Sequence, residues 1–168
     1  MEVSISEILV NEGIKKEFYF FEDIDNNIIE FFGEKISIKK PIKVEGYAVN
    51  YEGKIRLYIN IQTELARSCS RCLGLYNEMI DIDAEYVFVT SPDKQSNDEI
   101  LIDGETIILD EYVLDEITSQ MTMKPLCKPD CKGLCFKCGK NKNYEECDCT
   151  FDEIDPRLQE LSRFLRKE

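Results

Sequence analysis

The chain has 168 residues, is 43% hydrophobic and carries a formal net charge of −13, with eight Cys, no Trp and no His. That length fits one domain, or one domain with a small appendage, and no uncharged apolar run approaches the ~20 residues needed to cross a bilayer. Without His there is no Ser-His or Cys-His nucleophile pair and the commonest general base is missing, so the composition speaks against an enzyme.

In chain order, residues 2–10 and 17–21 hold short apolar stretches that predict strands. From Ile42 the pattern sharpens. Ile42, Val44, Gly46 and Ala48 alternate with mostly polar neighbours, Asn50 to Lys54 makes a turn containing Gly53, and Ile55, Leu57, Ile59 and Ile61 alternate again. This predicts a β-hairpin with one buried face. Its second strand runs into Cys69-Ser70-Arg71-Cys72, and Met79 to Val89 resumes strand character with Ile80, Ile82 and Ala84 on one parity. A polar loop is expected over 91–99. Ile100–Ile102 and Thr106–Leu109, separated by Asp103-Gly104, predict a second short hairpin. Asp110 is expected to cap a helix over 111–122 that shows Val113, Ile117 and Met121 on one face and stops before Pro125. At the far end Asp155-Pro156 predicts a helix start, with Leu158, Leu161 and Leu165 on one face. The expected fold class is α+β with a few short helices: an antiparallel β-rich domain over 1–126 with one helix, and a C-terminal cysteine-rich, zinc-binding segment over 127–168 with the C-terminal helix packed on it.

The acidity is uneven. Residues 81–116 hold twelve Asp or Glu against Lys94 alone. Such a surface repels phosphate backbones and attracts cationic proteins. A merely solvated, solubilising face is the competing reading.

Six of the eight cysteines fall between Cys127 and Cys149. The start Met1-Glu2-Val3-Ser4 has neither the basic nor the apolar block of a secretory signal, which predicts a cytoplasmic protein with reduced thiols and favours metal over disulfides. Cys69-x-x-Cys72 and Cys135-x-x-Cys138 have the spacing of tight metal-binding turns. Cys127 and Cys131 suit a looser turn, and Cys147 and Cys149 an extended segment whose residues i and i+2 share a face. Four pairs allow three pairings into two tetrahedral sites. Loop length favours Cys135, Cys138, Cys147 and Cys149 as one site, because only Gly139 to Glu146 close it. Cys69, Cys72, Cys127 and Cys131 then form the other, tying the hairpin to the end of the helix. The expected cofactor is zinc, as two structural ions or at least one; an iron–sulfur cluster is the rival and would colour the protein brown.

Lys124, Lys128, Lys132, Lys137, Lys140 and Lys142 surround the cysteines with Asp130 as the lone acid between them. They suit counterions to thiolate-bound zinc as well as a nucleic-acid contact. Phe136 and Tyr144 alone make a poor stacking platform for single strands. Gly133 to Lys140 fails as a phosphate loop, because five residues separate Gly133 from Gly139 and Asn141 stands where Ser or Thr belongs.

The residues Cys69-Ser70-Arg71-Cys72-Leu73, Pro125-Leu126-Cys127, Asp130-Cys131-Lys132-Gly133-Leu134-Cys135, Cys138-Gly139-Lys140-Asn141, Asn143, Cys147-Asp148-Cys149 and Asp155-Pro156-Arg157-Leu158 together resemble the bacterial YceD family. The resemblance runs over about residues 40 to 165. It departs at Phe136, where a Pro is usual, and at Lys142, which replaces an apolar residue; neither is an expected ligand. The resemblance implies a cytoplasmic, non-enzymatic ribosome-biogenesis factor that supports synthesis, processing or stability of large-subunit (23S) rRNA. Its partner is expected to be a basic ribosomal or rRNA-processing protein, rRNA itself, or both, with no membrane and no small-molecule substrate. A zinc-dependent, redox-responsive regulator or protein-interaction module is the alternative.

Overall fold

Strict alternation of apolar and polar residues over long stretches demands sheet, because only a period of two puts every second side chain on the same face. The computed structural model describes residues 1–22, 28–31, 34–91 and 99–149. Its elements in chain order are β1 (Glu2–Ser4), α1 (Ser6–Val10), β2 (Lys15–Glu22), β3 (Ile28–Phe31), β4 (Glu34–Ile38), β5 (Ile42–Tyr51), β6 (Lys54–Ser68), β7 (Leu75–Val89), β8 (Ile100–Leu101), β9 (Thr106–Ile108) and α2 (Asp110–Gln120). Contacts divide the chain into two units: Met1–Ser70 with Gly74–Cys127, and Arg71–Leu73 with the chain from Lys128 onward. The first unit is sheet-rich with two short helices. The expected C-terminal helix lies outside the described residues, as does most of the 91–99 loop.

The predicted hairpin is β5 and β6, paired antiparallel from Lys43↔Gln62 to Tyr51↔Lys54. Glu52 and Gly53 connect them with φ of 54° and 74°, the two positive values a type I′ turn requires. β6 is the spine of the sheet. One edge pairs with β7 over its whole length, from Ile55↔Phe88 to Ser68↔Leu75. The other edge is shared, first by β5 and then by β4 at Leu65 and Ala66. β2 extends the sheet beyond β5, β3 beyond β4, and β8 joins β7 in parallel.

Many inward positions of these strands, among them Ile42, Val44, Leu57, Ile61 and Leu65, are fully buried. α2 covers them on one side. Val113 and Ile117 are buried and Met121 follows just past the helix end, while Tyr112 packs against Tyr86 at 4.9 Å and edge-on against Phe88 at 5.6 Å. The Tyr86 hydroxyl donates to Glu116 at 2.7 Å, and its burial, with that carboxylate beside it, pushes the phenol well above its ordinary range.

Gly46 sits on the inward parity of β5, between Phe18 on β2 and Ile59 on β6. A Cβ there would overlap the Tyr58 carbonyl oxygen, with Ile59 Cα at 3.1 Å. The obstacle is backbone, which cannot rotate away. Gly46→Ala is therefore expected to destabilise the sheet by about 2 kcal/mol or more, as overpacking does; an unchanged urea midpoint would refute this.

Where β6 exchanges β5 for β4, polar groups hold the join. Thr63 Oγ1 donates to the Lys40 carbonyl at 3.1 Å, and the Lys39 N–H donates to the Glu64 carbonyl at 2.7 Å. The Glu64 carboxylate pairs with Lys40 and accepts from Asn77 Nδ2 at 2.6 Å. The hydrogen-bonded Lys40 ammonium holds Glu64 below the usual carboxylate range. A depressed folded-state pKa adds stability above the unfolded-state value, near 4.3, and that stability is lost as pH falls through the folded value. Glu64→Gln is expected to lower the urea midpoint at neutral pH, with the gap from wild type closing as the pH falls through the folded-state value. A gap that persists unchanged in acid would assign the effect to packing.

Three local readings need correction. Residues 2–10 are not all strand, because Ser6–Val10 coils into a helix that buries Ile8 one turn below the equally buried Ile5. The Asp103-Gly104 turn forms, with Gly104 at φ 108°, yet it makes no hairpin. β8 pairs with β7, whereas β9 pairs with β1 through Val3↔Ile107. The turn signal is local, but the open strand edges and the burial of Val3 and Ile107 are not, and they choose the partners. Asp110 begins α2 without capping it. Leu109 holds the cap position with no side-chain bond, and the Asp110 carboxylate instead lies 2.9 and 3.0 Å from the Met1 amino nitrogen. The helix ends at Gln120 with Met121 extended, ahead of Pro125.

Candidate metal centres

The first cysteine pair occupies the bend between β6 and β7. The Cys69 N–H donates to the Gly74 carbonyl at 2.9 Å and the Ser70 N–H to the Pro125 carbonyl at 2.8 Å. Leu73 takes a positive φ of 57°, which lets the chain reverse directly after Cys72. Cys127 follows Pro125, and the Cys131 N–H closes a turn on the Lys128 carbonyl at 3.1 Å. The sulfurs of Cys69, Cys72, Cys127 and Cys131 all lie within 4.8 Å of one another. Cys69 and Cys131 are almost wholly buried.

The second set is a knuckle within a short reversal of the chain. The Lys142 N–H donates to the Gly133 carbonyl and the Cys135 N–H to the Lys140 carbonyl, while the Gly139 N–H returns to the Cys135 carbonyl at 2.9 Å. Gly139 has φ 74°, so the close Gly after the Cys-x-x-Cys pair is there for its left-handed backbone. The sulfurs of Cys135, Cys138, Cys147 and Cys149 again fall within 4.8 Å of one another. Of the three pairings open in the sequence, the structure assembles the one that loop length favoured.

Four thiolates on one tetrahedrally bound zinc sit roughly 3.8 Å apart, given a Zn–S bond of about 2.3 Å. Both sets meet that requirement after shifts of an ångström or less, and all-sulfur donors are the choice of zinc or iron over magnesium or calcium. Both four-cysteine clusters can therefore hold a metal ion. The thiols of the knuckle are unequal. The backbone N–H groups of Cys138 and Lys137 hold Cys135 down to about 6, whereas Cys147 is raised by its hydrogen bond to Cys135, and Cys149 is pushed up to about 11 by its hydrogen bond to Cys138. Amide donors aimed at a sulfur stabilise the thiolate, the form that binds a metal.

Polar groups around the clusters supply the orientation that metal ligands need. Asn143 Nδ2 donates to Cys131 Sγ at 3.3 Å, and Asn143 Oδ1 accepts the Lys132 N–H at 2.9 Å. Asn141 Oδ1 in turn receives both the Asn143 N–H and its Nδ2. Arg71 donates to the Cys131 carbonyl at 2.9 Å, and its own carbonyl accepts from Leu134. Gly133 lies against that carbonyl. At φ 71° any Cβ would come within 3.0 Å of it.

Arg67, two residues before Cys69, was not among the candidate residues that the cysteine spacing picked out. Its side chain is 1% exposed and donates to Glu78 at 3.0 Å and to the Thr122 carbonyl at 2.8 Å, so it fastens the end of β6 to the segment leading to Cys127. The signal was present: Arg67 continues the inward parity of Ile55 to Leu65, and an inward Arg in a strand must find partners. Phe136 and Tyr144 are 93% and 87% exposed, with Lys142 Nζ 5.9 Å from the Phe136 ring.

The family profile described as "Large ribosomal RNA subunit accumulation protein YceD" matches residues 57–165. This chain belongs to the YceD family. Similar sequences include an uncharacterized protein of Mycobacterium tuberculosis, 29% identical over 60% of this chain and 50% of that one. Another is the protein named "Large ribosomal RNA subunit accumulation protein YCED homolog 1, chloroplastic" of Arabidopsis thaliana, 27% identical over 68% of this chain and 46% of that one. YlbN of Bacillus subtilis, uncharacterized, is 24% identical over 92% of this chain and 91% of its own length. The chain thus spans about half the length of the mycobacterial and plant relatives. No solved structure gave a significant match. The YceD profile covers all eight cysteines, both Asn141 and Asn143, and nearly all of the β6–β7 hairpin that presents Cys69 and Cys72.

Proposed function

We propose that this YceD-family chain is a non-enzymatic, cytoplasmic factor that supports the synthesis, processing or stability of large-subunit rRNA, with a structural zinc in each four-cysteine cluster. The observation that carries the reading is the coincidence of the family match with both clusters. In support, the clusters offer only sulfur, which leaves a tetrahedral zinc closed to water and substrate. No helix among the described residues is long and apolar enough to cross a membrane. The acid-rich chain makes a basic ribosomal or rRNA-processing protein the favoured direct partner, because phosphate backbones are repelled by such a surface. We take residues 1–126 as the partner-binding domain and 127–168 as its zinc-bearing appendage. Deleting the gene should lower 23S rRNA relative to 16S rRNA, and plasmid-borne wild type should restore it; a ratio that deletion leaves untouched would defeat the proposal.

A further inference from the structure

The solvent face of the β2–β5–β6–β7 sheet carries a gutter that runs across the strands. Its floor is the backbone of the row Phe18, Gly46, Ile59 and Ala84, whose side chains belong to the opposite, core face and which the strand registers place in line. The neighbouring outward rows form the walls. One wall is Glu17, Tyr47, Tyr58 and Glu85; the other is Tyr19, Glu45, Asn60 and Asp83. Two open depressions, one over β2 and β5 and one over β5, β6 and β7, share Glu45, Gly46 and Tyr47, and the second has a volume of about 510 Å³.

The walls hold four carboxylates, three phenol rings and no cation. Tyr47 and Tyr58 stack with centroids 4.8 Å apart, and Tyr19 is 59% exposed. The protein's own cations show what these walls accept. From the rows just outside, Lys15 Nζ lies 4.3 Å from the Tyr47 ring centroid, Lys43 reaches Glu45 at 2.9 Å and Arg56 reaches Glu85 at 3.3 Å. Glu17 and Asp83 have no ion pair among the described residues. Asp83 is held in place by the neutral Asn60 Nδ2 at 2.9 Å, which orients the carboxylate without neutralising it.

We propose that this gutter is the docking surface for an extended, arginine-bearing segment of a cationic protein. The proposal rests on the reading above that the partner is a basic protein. Outward rows of a strand stand roughly 6.8 Å apart, too narrow for an α-helix of about 10 Å diameter but wide enough for an extended chain. Four strands span roughly 14 Å, the length of about four extended residues. Arginine fits the lining better than lysine, because its planar guanidinium stacks on a phenol ring and forks onto a carboxylate at once. Phosphate-bearing RNA meets the carboxylates of Glu17 and Asp83, which have no ion pair among the described residues, in the same place.

The test uses the full chain and a fluorescein-labelled heptapeptide of alternating Arg and Ser, followed by fluorescence anisotropy. The variant Asp83→Asn with Glu85→Gln is expected to weaken binding about tenfold, as loss of charged contacts at an interface does. Asp103→Asn with Glu105→Gln, the same charge change at exposed residues outside the gutter, is expected to weaken it less than about twofold. Tyr58→Thr, which keeps every charge and the strand preference, is expected to weaken it several-fold. Equal losses for the gutter and remote pairs would overturn the proposal, and so would displacement of the peptide from the gutter by oligouridine. Chromosomal Asp83→Asn with Glu85→Gln is expected to lower 23S rRNA relative to 16S. If peptide binding is lost while the ratio stays normal, the gutter is overturned as the functional surface and the rRNA reading stands.

Discussion

Replacing Cys138 by Ser is expected to reduce the zinc content of the purified chain from two ions to one and to unfold the knuckle while β5, β6 and β7 keep their structure. The reason lies in what the knuckle lacks. No residue from Phe136 to Cys149 is buried, so almost no apolar surface leaves water when this stretch folds, and the conformational entropy of ordering it must be met from elsewhere. A structural zinc supplies about 10–16 kcal/mol at neutral pH. A serine hydroxyl does not replace a thiolate in a soft tetrahedral site. Metal analysis should therefore find one equivalent lost, and limited proteolysis should cut between residues 136 and 149 in the variant. Retention of two equivalents, or a wild-type chain purified without chelator that holds no metal, would remove the zinc reading. Cys72→Ser is expected to remove the other equivalent and leave the knuckle protected, since none of the knuckle's four ligands is changed.

Arg67→Ala is expected to cost about 2 kcal/mol or more, because a side chain almost wholly out of water is deleted, although its partner Glu78, 26% exposed, can still reach solvent. The loss has two components. Truncation empties space in a site where the side chain is 1% exposed, and it strips donors from the Glu78 carboxylate and the Thr122 carbonyl. Arg67→Met refills the space without the donors, so its urea midpoint should fall between wild type and Arg67→Ala. Arg67→Lys should not rescue fully, because one ammonium cannot reproduce the fork of a guanidinium. If Arg67→Met behaves as wild type, the hydrogen bonds contribute nothing and Arg67 is only filler.

What could be read directly from the chain was whatever obeyed a short period or a short loop. The alternation of Ile42 to Ile61 identified β5 and β6 and their buried face, and the four cysteine pairs with the brief Gly139–Glu146 closure identified the sets that the structure brings together. The failures share a cause. Ile100–Ile102 and Thr106–Leu109 resemble a hairpin locally, yet their partners are Val89 and Val3, whose open edges no local pattern announces. Asp110 has the chemistry of a cap but lies beside the Met1 nitrogen, a partner far away in sequence. The gutter was invisible for a similar reason: Glu17, Glu45, Asp83 and Glu85 come from three strands, and only the registers align them. A count of acids between residues 81 and 116 took in Asp83 and Glu85 but not the registers that align them with Glu17 and Glu45.

The long pairing of β6 with β7 also bears on how quickly the chain folds. Each strand has 15 residues, and the first rung, Ser68↔Leu75, closes a loop made only of residues 69–74. Closing so short a loop costs little entropy, and every later rung adds contact without opening a larger one, so the hairpin has an inexpensive route outward from its bend. Joining β9 to β1 instead brings together positions about a hundred residues apart, Val3 and Ile107, and belongs late on the same topological argument. Together with the two-residue Glu52-Gly53 turn between β5 and β6, the bend that presents Cys69 and Cys72 is then a local starting point of the sheet. Substitutions there should slow refolding, whereas Val3→Ala should chiefly hasten unfolding; stopped-flow chevrons with the reverse pattern would place the nucleus elsewhere.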